Sequence, residues 1–174
     1  MRIVVPYTNL RDETIEALRE HAVTADGYPL DIHFVDVSDH DEQLYELWSD
    51  LWAAREDVLL VEHDIVIHAD VIPQLASCPE PWCSFGYQYA HFGVYHGTGC
   101  VRIRGSLMAQ HPHVIVQAGE HQGPLHPARH WCSLDAYMQH ELHRRGIEQH
   151  RHEPPVEHLG VGVSHGCVAA PVAV

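Results

Sequence analysis

Val58-Leu59-Leu60-Val61-Glu62-His63-Asp64 decides the fold: four apolar residues in succession run straight into two acids around a histidine. A strand with one wet face alternates apolar and polar residues. Unbroken apolarity marks a strand covered on both faces, as in a parallel sheet packed between helices. The segments upstream prepare the same arrangement. Residues 3–5 form a short apolar run closed by Pro6, and Ile15, Leu18 and Ala22 fall at helical spacing behind an Asp12 cap, which predicts a helix over 12–21. Residues 31–37 alternate before becoming apolar. Ser38 or Asp39 can then cap a helix carrying Leu44, Leu47, Trp48, Leu51 and Trp52 on one face. Three β-α units in a row predict an α/β protein, a single domain built on an open, mostly parallel sheet flanked by helices.

Further along, residues 73–105 are denser in Pro, Gly and aromatics and read as short strands around 82–89 and 101–104. Residues 111–130 hold Pro112, Gly119, Gly123, Pro124 and Pro127 with five His, the composition of a ligand-ordered loop without a fixed shape. Ser133 opens a helix whose Leu134, Tyr137, Met138 and Leu142 share a face, and Arg144-Arg145-Gly146 ends it. The chain after Pro155 reads as loop.

The 174 residues suit one domain, and 45% apolar with 20% charged residues is an ordinary globular composition. A formal charge of −14 has the wrong sign for coating nucleic acid or an anionic membrane. All ten basic residues are Arg. The absence of Lys excludes Schiff-base and P-loop lysine chemistry. Protonating the eighteen His would move the charge from −14 to +4, so surface potential should change steeply near imidazole titration. Cysteines at 78, 83, 100, 132 and 167 are odd in number and include no C-x-x-C pair, which suggests neither a disulfide framework nor a zinc ribbon. With no signal-like start and no apolar run approaching ~18 residues, the expectation is a cytoplasmic protein without a membrane span.

Ligands of open parallel sheets bind beyond the carboxyl ends of the strands. Here the first strand exits into Pro6-Tyr7-Thr8-Asn9, the second into Asp36 and the third into Glu62-His63-Asp64. Alternation in an extended segment sends Glu62 and Asp64 to the same side, where two carboxylates can hold a hard divalent cation and leave positions for phosphate oxygens. Neither G-x-G-x-x-G nor G-x-x-x-x-G-K-[ST] occurs. Any phosphate must then be held through the metal, which argues against a dehydrogenase or P-loop enzyme.

This arrangement resembles the GT-A glycosyltransferases, whose D-x-D motif binds a divalent metal and the diphosphate of a nucleotide sugar; the motif reads Glu62-His63-Asp64 here. The likeness extends to family 2 type enzymes through Trp131-Cys132-Ser133-Leu134-Asp135 followed by Arg144-Arg145-Gly146, and it spans roughly residues 2–160. Glu62 stands where the motif has Asp, and Leu134 where a late acidic pair begins. The resemblance implies a compact GT-A-like catalytic domain over 1–160 with a tail at 161–174. It implies Asp135 as catalytic base, and Glu62, Asp64 and the His158 of Glu157-His158-Leu159-Gly160 as metal ligands. Pro6, Tyr7, Thr8, Asp36, His63, Gly97 and Thr98 would then contact the donor, with Tyr7 stacking on the base, Asp36 bonding base or ribose, and Gly97-Thr98-Gly99 beside the sugar. The cofactors implied are Mn²⁺ or Mg²⁺, Mn²⁺ suiting a set that contains imidazole, and a nucleotide sugar, a UDP-sugar being favoured. The reaction would be inverting transfer to an acceptor hydroxyl.

Other readings stay open at this point. Glu62 and Asp64 also read as solvated acids capping a following helix over 69–76, and Asp135 as an acid placed for the helix dipole. His111 with His113, His140 with His143, or His150 with His152 are spaced to share a metal in a zinc hydrolase, although no H-E-x-x-H occurs. A non-catalytic sugar- or metal-binding module is the third reading. Among acceptors a saccharide is favoured. A modified DNA base is the lesser alternative, kept because His143, Arg144, Arg145, His150, Arg151 and His152 form a local basic run.

Overall fold

The computed structural model of the chain describes residues 1–24, 27–88, 93–121 and 127–160. The strands are β1 (Arg2–Tyr7), β2 (Ile32–Asp36), β3 (Val58–Val61), β4 (Ile65–Val66), β5 (Trp82–Gln88), β6 (Val94–Tyr95), β7 (Cys100–Ile103) and β8 (His150–His158). The helices are α1 (Asp12–His21), α2 (Gln43–Ala54), α3 (Val71–Ser77), α4 (Gly105–Gln110), α5 (Val114–Ala118) and α6 (Trp131–His143). The sheet runs β2-β1-β3-β7-β5-β8-β4, with β6 beside β5. β1 pairs in parallel with β2 and β3, and β5 in parallel with β8. β7 is antiparallel to both β3 and β5, so β2, β1, β3, β5 and β8 share one direction and the sheet is mostly parallel. This is the open α/β architecture expected from the sequence.

Strand pleat splits the core into two layers. Val4, Val58, Leu60, Trp82, Val101 and Ile103 face α2, α5 and α6 through Trp48, Leu51, Trp52, Ile115, Leu134, Met138 and Leu142. Ile3, Val5, Leu59, Val61 and Phe85 face α1 and α3 through Ala17, Leu18, Val71, Ile72 and Leu75. All four residues of β3 are at most 2% exposed, as an unbroken apolar strand between two helical layers must be.

Four expectations need correction. α2 starts at Gln43 rather than directly after Ser38 or Asp39. Asp36 Oδ1 accepts from the Ser38 N–H (3.0 Å) and Oγ–H (2.6 Å), and Gln43 Oε1 accepts the Asp39 N–H (2.9 Å), so side chains satisfy the backbone locally and delay the helix. α1 does open at Asp12, but behind Arg11, which makes no side-chain cap. Within 111–130, Val114, Ile115 and Ala118 are buried along α5; these apolar residues find a core to pack on, which a reading weighted by Pro and Gly overlooked. Residues 122–126 of that stretch lie outside the described residues. The chain after Pro155 continues as strand to His158. Its register against β5 shifts between Phe85 and Tyr87, so Pro154 and Pro155 fall where the ladder is interrupted and their missing N–H groups leave no gap. The expected tail at 161–174 lies outside the described residues.

β7 is followed by a tight contact. A Cβ on Gly105 would lie 2.0 Å from the Arg55 carbonyl oxygen, and the Gly105 N–H donates to Asp57 Oδ1 (2.8 Å). Two backbones meet there, so neither can yield cheaply. Gly105→Ala should lower stability by about 1–3 kcal/mol through forced backbone displacement, read as a lower urea midpoint with unchanged slope.

Candidate functional site

β3 stops at Val61 and the chain reverses: the Ile65 N–H donates to the Glu62 carbonyl (3.1 Å). His63 and Asp64 therefore sit in a tight turn. The expectation that pleating carries Glu62 and Asp64 to one side is corrected here, since the segment is not extended; the turn brings the two acids within each other's field. The Glu62 N–H donates to the Gly99 carbonyl (2.8 Å), and the Thr98 hydroxyl donates to Glu62 Oε1 (3.3 Å). From the far side, β8 aligns His158 opposite Ile65 and places its Nε2 3.1 Å from Asp64 Oδ2. A third carboxylate arrives on the first turns of α6. Tyr95 Oη donates to Asp135 Oδ2 (2.8 Å), and the Ala136 N–H donates to Asp135 Oδ1 (2.7 Å). Gln139 Nε2 then donates to Tyr95 Oη (3.3 Å) and to the His96 carbonyl (2.9 Å), fixing the tyrosine.

The electrostatics follow from crowding. Burial, then repulsion from Asp64 and Asp135, pushes Glu62 up to about 8. Burial likewise raises Asp135, partly offset by its bonds from Tyr95 and Ala136. Asp64, although burial opposes it, is held below its ordinary value by the hydrogen bond and charge of His158. Tyr87 and Tyr95 are raised well above the usual phenol value by burial and by the neighbouring carboxylates.

Whether these residues suit a divalent ion can be read from one atom. Asp64 Oδ1 is buried without a hydrogen-bond partner among the described residues. An orphaned carboxylate oxygen beside two further acids is what a hard cation satisfies, so the donor chemistry fits. Glycines keep the approach open: a Cβ on Gly97 would lie 2.7 Å from both Asp135 Oδ2 and Tyr87 Oη, and one on Gly160 2.9 Å from Asp64 Oδ2. The set is not drawn tight, however. The groups of described residues that bring three ligand atoms within 4.8 Å of one another are Cys78–His150–His152 and His121–His140–Glu141. The acids of the rim would have to close on an ion.

The remaining sequence-derived candidates spread along the same sheet edge. Gly97 and Thr98 are buried against the carboxylates. His63 bonds to the Pro6 carbonyl, and burial lowers its pKa despite Asp64. Tyr7 is opposite Asp36 in register, and Thr8 is exposed. Asp36 is exposed two strands from β3, about 10 Å away at ordinary strand spacing. Its hydrogen bonds from Ser38 hold it below the usual carboxylate range. The basic run is not a free patch, because Arg145 (2.6 Å) and Arg144 (3.1 Å) both pair with buried Glu141. The aromatic-dense stretch over 73–105 was visible in the sequence, but nothing there gave a role to Tyr87, Tyr95 or Gln139. Alternation with Cys83 and Phe85 points to Tyr87; nothing local reports that Tyr95 reaches α6.

Fold and site define an open α/β protein with a carboxylate cluster at the carboxyl end of its sheet. No family profile matches the chain, and no curated protein is significantly similar to it in sequence. Solved structures similar to it include A197 from STIV, with a TM-score of 0.51 at 10% identity over 88% of this chain and 82% of that one. Another is a glycosyltransferase involved in the glycosylation of the major capsid of PBCV-1, with a TM-score of 0.48 at 15% identity over 94% of this chain and 95% of that one. The likeness to A197 is one of fold alone. No helix among the described residues is long and apolar enough to cross a membrane.

The folded state holds the Glu62 proton more tightly than the unfolded chain does. Its contribution to the stability of the metal-free protein is therefore fully present below the ordinary value of 4.5 and is lost as pH rises to about 8. Denaturant unfolding in the presence of a chelator should show that loss as a difference between parent and Glu62→Gln, the variant gaining relative stability as pH rises across this window.

Proposed function

We propose that the chain is a divalent-metal-dependent glycosyltransferase that moves a sugar from a nucleotide sugar, a UDP-sugar in the favoured case, to an acceptor hydroxyl with inversion, a saccharide being the favoured acceptor. The observation that carries the proposal is the crowding of Glu62 by Asp64 and Asp135, with Asp64 Oδ1 buried and unpartnered among the described residues. Glu62, Asp64 and His158 would hold Mn²⁺ or Mg²⁺. When bound, the ion supplies the positive charge that a departing nucleoside diphosphate needs.

The other roles belong to the chain itself. Asp135 accepts the acceptor's hydroxyl proton, and its burial makes it a stronger base than an exposed carboxylate. Tyr95 and Gln139 fix its orientation. Thr98 positions Glu62, and the missing side chain at Gly97 leaves space beside Asp135 for the reacting sugar. Pro6, Tyr7, Thr8 and Asp36 lie along the sheet edge where a nucleoside would extend, with His63 between them and the acids.

A thermal-shift screen of nucleotide sugars with and without Mn²⁺ tests this reading, since a ligand that binds only the folded state at 100 times its Kd adds about 2.7 kcal/mol. The expected hit requires metal and disappears in Asp64→Ala. Asp135→Asn should keep the donor-induced shift while losing about 10²–10⁴-fold in transfer. A shift independent of metal, or transfer undiminished in Asp135→Asn, would overturn the assignment.

A further inference from the structure

Cys78 directly follows α3 and is 4% exposed, among thiols that include free, buried Cys83 and Cys100. β8 passes alongside. The pleat of β8 sends His150 and His152 to one face, because their register partners on β5 are Cys83 and Phe85, both of which point into the layer beneath α1 and α3. Cys78 Sγ and one ring nitrogen from each histidine consequently lie within 4.8 Å of one another. The two rings are 4.7 Å apart at 76°, so they do not stack on each other.

His152 carries the decisive detail. Its ring is stacked on Phe85 (5.1 Å, 20°), and its Nδ1 is 3.2 Å from Gln74 Oε1. With that acceptor in place Nδ1 bears the proton, which leaves Nε2 as a lone pair; Nε2 is buried and has no hydrogen-bond partner among the described residues. A histidine with one nitrogen donating to a fixed carbonyl and the other bare is oriented as metal-binding histidines are. Arg102 lies beside the same group. It is 1% exposed, donates to the carbonyls of Cys78 (2.8 Å) and Glu80 (2.6 Å) and meets the Cys83 thiol across the ladder, and no carboxylate pairs with it among the described residues. A thiolate at Cys78 would give this buried cation a nearby negative charge.

We propose that Cys78, His150 and His152 bind a borderline-soft divalent cation of the zinc type, separate from the oxygen-rich rim, and that the ion fastens β8 to the end of α3. One thiolate and two imidazoles are a zinc donor set, and closing from the present spacing to the donor separation of about 3.5 Å in a tetrahedral site takes only a small movement. The exposed edge of His150 leaves the fourth position to water. His121–His140–Glu141, the other close group, is a weaker case because Arg144 and Arg145 already neutralise Glu141.

Titrating Co²⁺ into reduced, chelator-stripped full-length protein provides the test, because only a thiolate ligand gives a sulfur-to-cobalt charge-transfer band beside tetrahedral ligand-field bands. One equivalent should produce both, and Zn²⁺ should displace it. Cys78→Ser should lose the charge-transfer band, and His150→Ala, altered at an exposed position, should lose the Zn²⁺-induced rise in Tm. Gln74→Ala should weaken Co²⁺ binding by about 10–100-fold as an outer-shell partner. No thiolate band in the parent, its persistence in Cys78→Ser, or undiminished affinity in His150→Ala would each overturn the proposal. None of these readouts depends on sugar transfer.

Discussion

Asp64 and Asp135 both repel Glu62 at the carboxyl end of the sheet, and the surroundings are arranged around that repulsion. Two unit charges about 4 Å apart in a protein-like medium interact by roughly 4 kcal/mol, which is large against ordinary domain stability. The fold answers with a few individual donors: Thr98 to Glu62, His158 to Asp64, and both Tyr95 and the Ala136 N–H to Asp135. Among the described residues none of the ten arginines forms an ion pair with these acids. Keeping guanidinium groups away from three acids conserves negative potential for a ligand that brings positive charge.

Each helical layer sends one participant to this edge. α6, packed with α2 and α5 on one face of the sheet, supplies Asp135; β8, whose Val156 packs in the opposite layer with α1 and α3, supplies His158. They meet the end of β3, which is buried throughout between the two helical layers and ends abruptly in a turn. An exposed strand could fray at that point, whereas this one delivers Glu62 from a rigid base.

Much of this was legible in the residues. The apolar run at 58–61 specified the doubly covered strand, and the helical spacing of Leu44 to Trp52 and of Leu134 to Leu142 specified the amphipathic faces that pack on it, although the second helix opens at Trp131, two residues before the expected Ser133. What escaped reading was non-local. The turn at His63-Asp64 depends on a backbone hydrogen bond that no propensity announces. The end of the strand from 150 to 158, beyond Pro155, reads as loop until β5 and β4 are seen on either side of it. Tyr95 and Asp135 are forty residues apart and meet only because β6 lies beside β5 at the rim. The identity of the acids was visible in sequence; their mutual geometry was a product of tertiary packing.

The reversed direction of β7 has a consequence for how the sheet is held together. A forward strand offers the rim the chain that follows it, but β7 offers the chain that precedes it, including Gly97 and Thr98. Its downstream end instead locks against Arg55 and Asp57 at the base of the sheet. Four residues thus join a stretch committed to the rim to one that fastens the base, so β7 ties the two ends of the sheet together.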